Sequence, residues 1–140
     1  RILESSVVDA TSTQAKTYHL SSLAKLFRQR RIIAVNGVDY QVVDSFYPMD
    51  RYPNIENVLI DDQPAYQHLK ATYGVIPAST HKTLNAFVLD PEVCTLLGIK
   101  RRSVGSKVNG YVTDDDKQLI MFWESQTPGE SLVLHHTIKL

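Results

Sequence analysis

A lone cysteine, Cys94, rules out an intramolecular disulfide. That fits a reducing compartment or a packed core thiol better than a secreted scaffold held by cross-links. No run of about 18 apolar residues is available to span a membrane, and no basic head, apolar middle and small-residue cleavage site marks a signal peptide. Net charge is lacking too. Fifteen lysines and arginines balance fifteen aspartates and glutamates, so no long-range field draws the chain to nucleic acid or an anionic membrane, and any polyanion site must be a local patch.

The familiar catalytic signatures are also missing. Gly105 is followed by Ser106 and only then by Lys107, so the glycines and cations of this stretch do not form a phosphate-binding P-loop. Zinc-protease spacing, calcium-loop spacing, the nucleophile elbow, the dinucleotide fingerprint and the kinase pattern are all absent. His135 and His136 are neighbours, and on a strand they would face opposite sides of a sheet, a poor arrangement for one metal. Asp114, Asp115 and Asp116 read as a solvated turn, and Cys94 between Val93 and Leu96 reads as packing surface. The expectation is therefore no metal and no cofactor.

What is present is enough for one domain. Of the 140 residues, 43% are hydrophobic, sufficient for a core without staples. The chain opens at Arg1 rather than methionine, so we expect a fragment, a processed product or the ordered part of something longer. Residues 1–15 read as an arm or edge strand, and 16–140 as a single α+β domain.

Within that domain the pattern shifts several times. Leu20, Leu23, Leu26 and Phe27 recur at three- and four-residue steps, predicting, with Ser21 or Ser22 as N-cap, an amphipathic helix to about Arg30. Asn36-Gly37 between β-branched runs predicts a hairpin over 31–46, because both residues tolerate the positive φ of a type I′ turn. Two prolines, Pro48 and Pro53, make the next stretch a loop. A helix is expected between Pro64 and Gly74, and another from Asp90 and Pro91 to Gly98. The segment 79–89 is ambiguous between helix and strand. Residues 107–124 read as strand, turn and strand, SQTPGES as a further turn, and LVLHHTIKL as a final strand. The fold expected is α+β, with a mostly antiparallel sheet of two or three hairpins packed with about three short helices.

Phe87 to Ile99, FVLDPEVCTLLGI, is similar to the opening of SWIB-type interaction domains. Arg101, Val104, Val108, Tyr111 and Val112 fall where that family's next helix would lie, although Gly105 and Gly110 would then sit inside it. The resemblance implies a helical pair and transfers no site residue.

Two groups stand out as candidate contacts. Arg28, Arg30, Arg31, Lys100, Arg101, Arg102 and Lys107 would make a local anion or nucleic-acid patch if the fold brings them together. Tyr47, Met49, Arg51 and Tyr52 sit in a proline-bearing loop and are residue types that anchor protein interfaces. With enzyme motifs absent, the reading favoured is a non-catalytic interaction or assembly module, a subunit of a larger complex, with a virus-particle component as one such case. Its partners would be other protein subunits or further copies of itself, met through the arm, the SFYPMDRYP loop and the edge of the last strand. Nucleic-acid binding through the basic patch is the second reading, and a small hydrolase pairing a histidine with a carboxylate the third. The expected location is intracellular and soluble, or within a large assembly, with no membrane partner.

Overall fold

A computed structural model of the chain describes residues 1–129, 135 and 137–139. Six strands form one sheet: β1 (Ile2–Asp9), β2 (Lys25–Val35), β3 (Val38–Pro48), β4 (Ser79–Val88), β5 (Val104–Thr113) and β6 (Leu119–Pro128). Their spatial order is β1-β2-β3-β6-β5-β4, and every neighbouring pair is antiparallel. Three short helices accompany them: α1 (Ser12–Thr17), α2 (Ala65–Tyr73) and α3 (Pro91–Leu97). The expected α+β class with a mostly antiparallel sheet therefore holds. The order strand, helix, strand, strand occurs twice, as β1-α1-β2-β3 and as β4-α3-β5-β6, although the sequence shows no internal repeat. The two units meet where β3 pairs with β6.

Local chemistry explains most boundaries. The β2–β3 turn has Asn36 at φ 52° and Gly37 at φ 79°, the left-handed pair a type I′ hairpin needs. Helix α2 stops at Gly74 and α3 at Gly98, both left-handed caps. Thr11 and Gln14 form a reciprocal capping box that starts α1. Segment 79–88 resolves to a strand, paired on one side to β5 and exposed along nearly its whole length.

The helix expected from Ser21 is a strand instead. Leu26 and Phe27 are both buried, and adjacent strand residues point to opposite faces, so β2 needs apolar groups on both. The run of leucines at helical steps was coincidental: Leu23 is 86% exposed. Residues 125–128, expected in a turn, are the end of β6. Where the SWIB-like reading needs a helix there is β5. The final strand expected over LVLHHTIKL lies outside the described residues.

The two sheet faces are covered differently. On one, Phe27, Tyr47, Met121 and Val112 pack with Tyr52, Ile55, Leu59 and Leu69, contributed by the β3–β4 connection and α2. On the other, α3 lays Val93, with Leu96 and Leu97 beside it, over Ile32 and Val42. Gly105 has a structural duty here, since a Cβ at that position would meet the Thr127 carbonyl oxygen at 2.1 Å. Gly105→Ala should therefore cost at least about 1–3 kcal/mol, measured as a drop in the urea midpoint at unchanged m-value.

Burial pushes the Tyr47 hydroxyl up to about 12, against about 10 in an unfolded chain. Because folding favours the neutral phenol, its stabilising effect is complete below about pH 10 and is lost as pH rises through 12. Alkaline unfolding monitored by circular dichroism should accordingly start above pH 10, and be shallower in Tyr47→Phe.

Candidate ligand site on the sheet face

The face shared with α3 is not apolar throughout. Alternation on β2 puts Arg28 and Arg30 on the same side as Ile32, and the register sets Arg30 directly opposite Asp44. Arg30 donates from Nε and Nη2 to the two Asp44 oxygens, each at 2.9 Å, and Arg28 Nη2 donates to Oδ1 at 3.0 Å. Arg30 is only 7% exposed and Asp44 8%. The hydrogen bonds to Asp44 push the Arg30 guanidinium further up from an already high value, outweighing its burial, so it stays charged. The third guanidinium nitrogen, Nη1, is buried and without a hydrogen bond. It lies 2.8 Å from the Glu92 carboxylate on α3, a charge contact without hydrogen-bonding alignment.

Charge continues across the seam between β3 and β6. Asp44 stands opposite Glu124, a like-charge pairing that costs energy unless neutralised. Lys107 on β5 supplies a third cation, 3.0 Å from Glu124. Gln126 donates to Glu124 at 3.3 Å and to Asp90 at 2.8 Å, while its carbonyl accepts the Asp90 backbone N–H. The strip beside α3 thus runs Arg30, Asp44, Glu124 and Lys107, two carboxylates at the centre with a cation on either side.

An aromatic wall bounds this strip on the side of α1. Tyr18, just after α1, stacks on Phe122 at 4.1 Å, and Phe122 on Phe46 at 4.9 Å. Tyr111 meets Tyr18 edge-on and stacks with His81. Burial, with the Glu124 charge adding to it, pushes the Tyr18 hydroxyl above its ordinary range. Tyr18 and Tyr111 also line an open cleft of about 1500 Å³, together with Leu20, Lys25, Arg51 and Lys117. A charged floor, a stack of rings and an adjoining cleft can hold a small polar molecule with a flat or apolar part.

The residues singled out from sequence are dispersed. Arg28 and Arg30 share this face with Lys107, but Arg31 points to the other, bonding Gln29 and the Asp61 carbonyl. Lys100, Arg101 and Arg102 lie in the exposed turn after α3. Tyr47 and Tyr52 are core side chains, the Tyr52 hydroxyl donating to the Ile120 carbonyl at 2.9 Å. Arg51 pairs with Asp114 at 2.6 Å, and Met49 packs against the core. Among the described residues one histidine–carboxylate pair forms, His68 with Asp61 at 2.9 Å, on α2's exposed side. Among the described residues no group of three or more His, Cys, Asp or Glu is placed to hold a metal, and no helix is long and apolar enough to cross a membrane.

The UTRA domain model matches residues 1–132. The chain belongs to the UTRA domain family. None of the curated proteins matches the UTRA chain in sequence. Solved structures share its fold at low identity. The C-terminal domain of Yurk from Bacillus subtilis superposes with a TM-score of 0.90 at 17% identity, covering 95% of this chain and 92% of its own. The ligand-binding domain of a Bordetella bronchiseptica protein assigned to the GntR family of transcriptional regulators gives 0.87 at 18%, covering 99% and 90%. The C-terminal domain of the histidine utilization repressor from Pseudomonas syringae gives 0.85 at 15%, covering 100% and 97%.

UTRA membership corrects the reading drawn from missing motifs: the chain is not a structural or virus-particle assembly module, nor a subunit of that kind. The site residues that sequence reasoning passed over are Asp44, Glu92, Glu124, Gln126, Tyr18 and Phe122. The signal available was Arg-x-Arg on a strand beside a hairpin, since alternate arginines must share a face. Asp44→Ala would strand Arg28 and Arg30 without their shared partner. A loss of about 3–5 kcal/mol is expected for breaking such a buried pair from one side, read from urea unfolding.

Proposed function

We propose that this UTRA domain is the effector-sensing part of a transcription regulator, and that a small metabolite carrying an anionic group binds across the charged strip beneath α3. The observation that carries the reading is the pair Arg28 and Arg30, one of them buried, sharing the Asp44 carboxylate in the middle of a sheet. Asp44 takes three of their N–H groups, and the other carboxylates at the pair, Glu4 at 3.7 Å from Arg28 and Glu92 at 2.8 Å from Arg30, are exposed side chains that a ligand anion can replace, in a half-buried strip that strengthens each contact. The ring stack of Tyr18, Phe122 and Phe46 supports a ligand with a flat or apolar body, and the cleft beyond Tyr18 gives it room.

The relatives named above are a ligand-binding domain of an assigned regulator and the C-terminal domain of a repressor. We carry over only that division of labour: this domain senses, and another part of the regulator contacts DNA. Protein partners then narrow to that part and to a second copy of the chain. An intracellular location follows from the same reading.

Thermal melts against a panel of phosphorylated, carboxylated and zwitterionic metabolites provide the test. A true effector should raise the melting temperature in proportion to the logarithm of its concentration. Arg28→Ala, which spares the Arg30–Asp44 pair, should weaken it at least about tenfold, the loss of one charge-assisted hydrogen bond. A panel in which nothing stabilises the chain, or an effector indifferent to Arg28, overturns the proposal.

A further inference from the structure

Helix α3 is tied to the charged strip at its first turn by side chains as well as by its apolar face. Asp90, at its N-cap, exchanges two hydrogen bonds with Gln126. Glu92 reaches Arg30 Nη1. The second contact is unusual in what each partner brings. Arg30 is almost wholly buried, whereas the Glu92 side chain is 71% exposed. Nη1 makes no well-aligned hydrogen bond among the described residues, its 2.8 Å contact with Glu92 being close but poorly directed. An exposed, long side chain is thus holding its charge over a buried donor with which it is poorly aligned. Its flexibility makes the contact cheap to break, while the poor alignment at the buried N–H leaves more to be gained by a better-directed acceptor.

We propose that Glu92 is an internal stand-in for the ligand's anionic group: it occupies Arg30 Nη1 in the empty domain, and a carboxylate or phosphate oxygen replaces it there. This deepens the effector-site reading and rests on it. Displacement of Glu92 removes one of the two polar ties on the first turn of α3, so ligand binding and the seating of α3 on Ile32 and Val42 become coupled. Competition also sets a threshold. An anion must do better than a tethered carboxylate, which a bidentate oxyanion does by lying in the guanidinium plane. Chloride and other weakly aligned ions do not.

The consequence runs opposite to that expected of a structural residue. Neutralising Glu92 should improve anion binding even though it deletes an ion pair from the folded domain. The test is an NMR titration of the 140-residue chain with inorganic phosphate at constant ionic strength, following the amides of β2 and α3. Wild type, Glu92→Gln and, as a remote acidic control, Glu56→Gln are compared. Glu92→Gln should bind phosphate about threefold more tightly than wild type, the range of an exposed ion pair, with the largest shifts at Arg30 and in α3. Glu56→Gln should match wild type. Equal or weaker binding by Glu92→Gln, with shifts still centred on Arg28 and Arg30, overturns the stand-in role and leaves the effector site intact. Shifts centred elsewhere in all three proteins overturn both. Absence of binding in Glu92→Gln overturns the stand-in role, while the metabolite panel continues to decide the effector reading.

Discussion

Everything distinctive about this domain depends on the seam between β3 and β6. Five residue pairs, from Val42 with Gln126 to Phe46 with Phe122, join two three-stranded units into one sheet. The seam sets Asp44 against Glu124, two carboxylates that repel in a half-buried place. Cations must therefore approach from both sides. β2 contributes Arg30 and Arg28, and β5 contributes Lys107. This strip, carboxylates at the centre and cations at the ends, is the sheet's solution to a pairing forced on it by topology, and it is the feature on which the proposed effector site rests.

Each unit closes that strip from one end. The helix of the first unit, α1, is followed by Tyr18, whose ring covers Phe122. The helix of the second unit, α3, covers Ile32 and Val42 and reaches Arg30 and Gln126 through its first turn. Such an arrangement leaves charged groups half dehydrated yet reachable, the condition under which a charge-assisted hydrogen bond to a ligand is worth most. The opposite face, filled by Tyr47, Tyr52 and the β3–β4 connection, is a conventional apolar core that gives the strip a rigid backing.

A one-residue irregularity aligns the site. Counting back symmetrically from Asn36-Gly37 would put Arg30 opposite Val43 and leave Asp44 on the wrong side of its partner. A bulge in the β2–β3 ladder between Ile33 and Ala34 shifts the register, so that Arg30 faces Asp44. Bulges re-aim side chains in this way. Without this one the buried guanidinium would lose its cross-strand carboxylate.

The sequence by itself determined the class of fold, the Asn-Gly hairpin, the two glycine-capped helices and the β5–β6 pair, because each is written in contiguous residues through turn chemistry, capping or alternation. Capping was legible even where overlooked, in Thr11 and Gln14. It could not decide Lys25–Val35, whose apolar spacing suits a helix until burial on both faces is known. Nor could it place Arg30 with Asp44, Glu124 with Lys107, or Tyr18 over Phe122. Those meetings depend on strand order, on a bulge and on how two helices drape the sheet, and such long-range contacts are fixed only when the whole chain closes around them.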